Sequence, residues 1–225
     1  MSAHDPEFHT RRDFLGRVGQ LGVVAALPGA TLGTAVAQGA PKGDWDLSWV
    51  KQLEKATDAA VFDTVNLGEG IALQLATRYL DGCDAVYGAG KHQARVVLNL
   101  RVRAIPMGLK HEIWDRYELG TEYDIKEPGS TTPIRRNPYL TLAAGANPAL
   151  GSVQNLIERR GIVLVCDFAL GHMATRVATK LGKPPEEVHG DMLAGLIPGA
   201  YAVPSGLFGL ARAQNAGCAY LSGNG

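Results

Sequence analysis

Gly161-Ile162-Val163-Leu164-Val165-Cys166-Asp167-Phe168-Ala169-Leu170-Gly171 is an apolar run that stops on a thiol and then turns helical. Residues 162–165 are too few and too β-branched for a buried helix. They read as a strand apolar on both faces, the pattern of a parallel sheet covered by helices. Cys166 then closes the strand at its carboxyl end. Open α/β sheets bind ligands just outside that edge, where the following helix directs its N-terminal N–H groups and positive dipole end. That position favours a thiolate, and Asp167 beside it acts in the opposite sense. Two readings of Cys166 stay open: a reactive thiol, and a small buried hydrophobe of the kind free cysteine commonly is.

Outward from this stretch the same grammar repeats. Residues 47–56 suggest a short helix and 59–63 a first strand, followed by the turn Asn66-Leu67-Gly68-Glu69-Gly70 and an apolar-periodic helix over 71–87. The turn lacks the third glycine of a dinucleotide fingerprint, and Glu69 would repel a phosphate there. Residues 94–105 suggest a second strand ended by Pro106, and 107–117 a helix. Within that helix His111 and Asp115 share a face, but the second His of a His-Glu-x-x-His zinc pair is missing. Residues 119–147 form a long connection rich in Gly, Pro, Thr and Asn, a length usually associated with lids or partner contacts. Helices over 153–160 and 173–181 flank the central strand. A helix opening on Pro184-Pro185-Glu186-Glu187 follows, with proline and acids at its positive end. The strand 200–203 is ended by Pro204-Ser205-Gly206, residues 207–213 read as helix, and 217–221 as a fifth short strand. Alternating strands and helices argue for a three-layer α/β/α sandwich with a mostly parallel sheet of about five strands.

Composition bounds the class. The chain has 225 residues, 46% of them hydrophobic and 20% charged, enough for one core plus a processed extension. Formal net charge is +0 with no Lys/Arg run, so nucleic acid is not an expected partner. Thr10-Arg11-Arg12-Asp13-Phe14-Leu15 fits the twin-arginine export pattern ahead of a mildly apolar stretch, and Ala35-Val36-Ala37 fits signal-peptidase cleavage after Ala37. The expected organisation is a twin-arginine signal peptide over 1–37, a linker over 38–46 and one α/β domain over 47–225, with delivery to the periplasm by the twin-arginine translocase. Such export carries folded proteins and so allows a cofactor, but no residue pattern here names one. Three cysteines, Cys83, Cys166 and Cys218, leave at least one thiol unpaired in that oxidising compartment. Cys166 closes its strand and Cys218 opens the last one, which puts them at opposite sheet edges. A disulfide needs Cα atoms within about 7 Å, so no bridge between them is expected.

Several stretches together resemble the DsrE-like α/β family, in its exported twin-arginine branch. They are Val61-Phe62-Asp63 with its glycine-bearing turn, Ala104-Ile105-Pro106, Ile113-Trp114-x-x-Tyr117-x-Leu119-Gly120, Asn137-Pro138 and Val165-Cys166 before a helix. The most specific run is Gly195-Leu196-Ile197-Pro198-Gly199 through Val203-Pro204-Ser205-Gly206 to Arg212-Ala213-Gln214-x-x-Gly217-Cys218-Ala219-Tyr220. The resemblance implies a three-layer fold, frequent homo- or hetero-oligomers and, in the members acting in sulfur metabolism, a cysteine that accepts and passes persulfide sulfur.

The resulting expectation is a ligand or sulfur-species site at the carboxyl edge, formed by Asn66, Gly68, Pro106, Asp167, Pro204 and Ser205, with Cys166 as nucleophile or sulfur acceptor. The alternative from another class is a non-catalytic ligand-binding or interaction subunit whose cysteines are structural. A metal centre on His111, His172 or His189 is a weaker reading, because these histidines lack convergent spacing.

Overall fold

The structure, a computed structural model, describes residues 45–224. The expected export signal over 1–37 and residues 38–44 of the expected linker lie outside these residues. The described chain holds five strands: β1 (Asp58–Thr64), β2 (Ala94–Leu100), β3 (Ile162–Cys166), β4 (Ala200–Val203) and β5 (Ala219–Ser222). They form one sheet in the order β4-β3-β2-β1-β5, and every pairing is parallel. The helices are α1 (Ser48–Leu53), α2 (Ile71–Tyr87), α3 (His111–Arg116), α4 (Leu119–Glu122), α5 (Val153–Glu158), α6 (Asp167–Leu181), α7 (Pro185–Ala194) and α8 (Gly206–Asn215).

Alternation along the strands divides the core in two. Ala60, Phe62, Val96, Leu98, Val163 and Val165 face the layer made by α2, α5, α6 and α7. Val61, Val97, Ile162 and Leu164 face the other way, against Trp49 and Leu53 of α1 and Leu210 and Ala213 of α8. A strand buried on both faces must be apolar at nearly every position, which is why 162–165 carries no polar residue. Each fully buried Leu, Ile or Val stabilises by about 1.5–3 kcal/mol relative to exposure. The helix α2 buries Ala72, Leu73, Ala76 and Leu80, spaced three and four apart, and stops at Gly88, whose φ of 90° no helical residue adopts.

Among the expected boundaries that shift, three are the largest. The second strand stops at Leu100 rather than 105, because Val102 takes a left-handed backbone (φ 54°) that ends the ladder. The expected helix 107–117 divides into a 3-10 turn, Ile105–Gly108, and the short α3. The helix after β3 begins at Asp167, directly on the strand end, and not at 173.

The long connection is tied down by its own polar chemistry. Asn137, buried, donates through Nδ2 to the carbonyls of Leu109 (2.7 Å) and Met107 (3.0 Å), and its Oδ1 accepts the Tyr139 N–H at 2.9 Å. Tyr139 and Leu140 of this connection are partly buried against the protein's own core.

Candidate functional site

The chain advances through β1, β2, β3 and β4 in one direction across the sheet, with the intervening helices on one face. It then returns through α8 on the opposite face to place β5 beside β1. The helices leaving the neighbouring strands β3 and β4 therefore diverge to opposite faces. In open α/β sheets that divergence opens a crevice outside the carboxyl ends of the two strands. Here those ends are Cys166-Asp167 and Val203-Pro204-Ser205.

Cys166 is the last residue of β3 and the N-cap of α6, and its Sγ accepts the Ala169 N–H at 3.4 Å. It is 4% exposed. Asp167 turns away from the thiol: its Oδ1 is 2.8 Å from Nε2 of His189, which α7 delivers. The acid therefore ties α7 to the first turn of α6, where a carboxylate also suits the helix dipole.

The ladder between β2 and β3 ends at Leu100 opposite Val165. Arg101 and Cys166 are the next residues along the chain, Arg101 packing on Gly206 of α8 and Cys166 on the layer of α2, α5, α6 and α7. The Arg101 N–H still bonds Thr64 O at 3.0 Å, which holds it at the strand end. Its guanidinium donates through Nε and Nη2 to the two carboxylate oxygens of Asp63 on β1, both at 2.7 Å. Tyr220 OH donates to the same carboxylate at 3.3 Å. The hydrogen bond to Asp63 raises the guanidinium above its ordinary range against the cost of burial, and the charge of Asp63 adds to it. Beneath this pair Asn99, fully buried, donates to Gly206 O at 3.2 Å while its Oδ1 meets no partner among the described residues.

Ser205 is the N-cap of α8 and accepts the Phe208 N–H at 3.1 Å. Pro204 O accepts the Phe168 N–H at 3.3 Å, which joins the two strand ends across the crevice. Val102, next to Arg101, combines a β-branched side chain with positive φ and stands half exposed. That conformation costs on the order of 1–3 kcal/mol and persists only where its surroundings impose it.

Of the residues expected to converge, Cys166, Asp167, Pro204 and Ser205 do so, and three do not. Asn66 lies two strands away, beyond β2, and the N–H groups of Val65 and Asn66 are taken by Asn224 Oδ1 at 3.0 and 3.3 Å. Asn224 also donates to Asp63 O at 2.9 Å, so the chain's own segment covers that part of the edge. Gly68 sits further along the same turn in a left-handed conformation. Pro106 is buried, its carbonyl accepting the Trp114 Nε1 hydrogen at 2.9 Å, which makes it a packing residue. The sequence reading missed Arg101, Asp63 and Asn99 as site residues and weighed His189 only as a metal ligand. The available signal was an acid and an arginine closing two successive apolar strands.

The other thiols lie elsewhere and all three are free. Burial pushes Cys218 up to about 11, and burial and Asp58 raise Cys83. His111 and Asp115 do not pair with each other. His111 Nδ1 accepts the Asn137 N–H at 3.0 Å and Asp115 binds Arg135. Among the described residues no group of three His, Cys, Asp or Glu side chains is arranged to hold a metal ion. Compared with family models, curated proteins and solved structures, the chain matches none.

Proposed function

We propose that this is an exported, DsrE-like sulfur carrier in which Cys166 accepts sulfane sulfur and passes it on. The observation that carries the reading is the placement of Cys166 at the β3–β4 divergence: a thiol at a strand's carboxyl end that caps the following helix, with a backbone N–H on its sulfur. The chemistry is thiol exchange. The Cys166 sulfur attacks the outer sulfur of a donor R–S–SH, the donor S–S bond breaks, and R–SH leaves with a proton. The new S–S bond stands on Cys166 as a persulfide, with no net oxidation.

The second reading is a ligand-binding or interaction subunit with structural cysteines, and the 4% exposure of Cys166 favours it. Turnover separates the two. With an organic persulfide as donor and a small thiol as acceptor, sulfur transfer that is lost in Cys166→Ser and kept in Cys83→Ser supports the carrier. Equal transfer by both variants supports the binding module. Delivery to the periplasm rests on Arg11-Arg12 and Ala35-Val36-Ala37. Self-association, implied by the family resemblance, is tested by light scattering on the mature chain.

A further inference from the structure

Three neighbouring strand ends each carry one large apolar side chain into solvent. Val102 after β2 is 52% exposed, and Phe168 after β3 and Leu207 after β4 are each 67% exposed. Phe168 and Leu207 are the second residues of α6 and α8, the helices that diverge at the crevice. The three loops are joined: Phe168 N–H reaches Pro204 O, and Gly206 touches Arg101. Exposed apolar side chains grouped at one edge mark a contact surface, whereas single ones scattered over a protein do not.

The charge inside that rim is positive. In the Arg101–Asp63 pair the arginine side chain is 26% exposed and the aspartate 6%, so the cation is the partner that faces solvent. Asp63 uses Nε and Nη2, and Nη1 makes no hydrogen bond among the described residues. The only acid in the three strand-end segments 101–104, 166–169 and 203–208 is Asp167, which is engaged by His189. A guanidinium with one edge fixed by a carboxylate and one edge free is oriented to take an anion, because a planar fork already held costs little further ordering.

The geometry points to a small organic anion as the ligand of this strand-end surface, its anionic head on the free edge of Arg101 and its apolar body on Val102, Phe168 and Leu207. This rests on the carrier reading only for the kind of sulfur donor it implies: an alkyl or aryl persulfide or thiosulfonate, whose head carries the sulfane sulfur. A ligand with either half alone leaves one feature of the site unused. An inorganic oxyanion does not cover the rim, and a neutral aryl compound leaves the guanidinium edge unpaired.

The test uses benzenesulfonate, which has the head and body but no transferable sulfur, titrated calorimetrically into the mature protein. Benzenesulfonate is expected to bind about tenfold more tightly than neutral benzenesulfonamide, the scale of one charge-assisted hydrogen bond. Inorganic sulfate at the same concentration is expected not to displace it. Arg101→Gln is expected to weaken binding about tenfold, and the surface variant Leu207→Ser about threefold. Equal affinity for the sulfonamide, displacement by sulfate, or unchanged affinity in Leu207→Ser would each overturn the inference, and the wild-type comparisons stand even if Arg101→Gln does not fold. Benzenesulfonate binding as described, without persulfide on Cys166, removes the carrier reading and leaves this inference standing. Persulfide on Cys166 without benzenesulfonate binding does the reverse.

Discussion

The aliphatic stem of Arg101 lies against Gly206, so close that a Cβ at position 206 would stand 2.8 Å from both Cβ and Cδ of the arginine. The first residue of α8 is thus glycine because an arginine from another strand occupies the space a side chain would need. Gly206→Ala is expected to push Arg101 off Asp63 and to cost about 1–3 kcal/mol, the usual price of overpacking. Urea denaturation reads the stability. Organic-anion affinity read on the same variant should fall severalfold while the helix, for which alanine is the better residue, persists.

Val102 invites the opposite change. Its left-handed backbone (φ 54°) is strained for a β-branched residue, and its side chain is half exposed, so little packing offsets the strain. Val102→Gly should raise stability by about 1 kcal/mol, the relief of 1–3 kcal/mol being partly offset by glycine's larger unfolded-state entropy. The same change removes part of the apolar rim and should weaken benzenesulfonate binding. Unchanged or lower stability would show that the backbone there is not strained.

The loop anchored at Asn137 should loosen in acid. Burial, with Arg136 nearby, lowers the His111 pKa from 6.5, and its Nδ1 accepts the Asn137 N–H, which only the neutral ring can do at that atom. The unfolded chain binds the proton first, so this contribution is complete above pH 6.5 and is lost as pH falls through the lower folded value. Hydrogen exchange at the Asn137 and Tyr139 amides should accelerate over that range beyond the ordinary pH trend, and His111→Asn should flatten the change.

Export makes a separate prediction from Arg11-Arg12, which lie outside the described residues. Replacing both by lysine should strand the precursor in the cytoplasm, as read by cell fractionation. Unchanged export would show that another route carries the chain.

The layers of the fold were legible because a strand buried on both faces leaves a clear record, as residues 162–165 do in β3, and the turn residues Pro204-Ser205-Gly206 mark the end of the half-buried edge strand over 200–203. The failures have physical causes. Alternation of apolar residues continues to Ile105, but a period-two pattern does not register the left-handed turn at Val102 that stops the ladder. Asn66 and Gly68 follow a strand end as ligand-binding residues do, yet Asn224, distant in sequence, takes the backbone donors there. Arg101 and Asp63 became visible only once register set two strands side by side. Sequence placed the edge, and pairing across the sheet decided which half of it is open.

The central claim is that Cys166 carries sulfur, and peptide mass spectrometry of the mature protein after exposure to an organic persulfide tests it most directly. The account predicts an added sulfur atom on the peptide containing Cys166 and little on those containing Cys83 or Cys218, whose thiols are both held above their ordinary range. A persulfide distributed equally over the three, or absent from Cys166 while that residue remains an intact thiol, would contradict it.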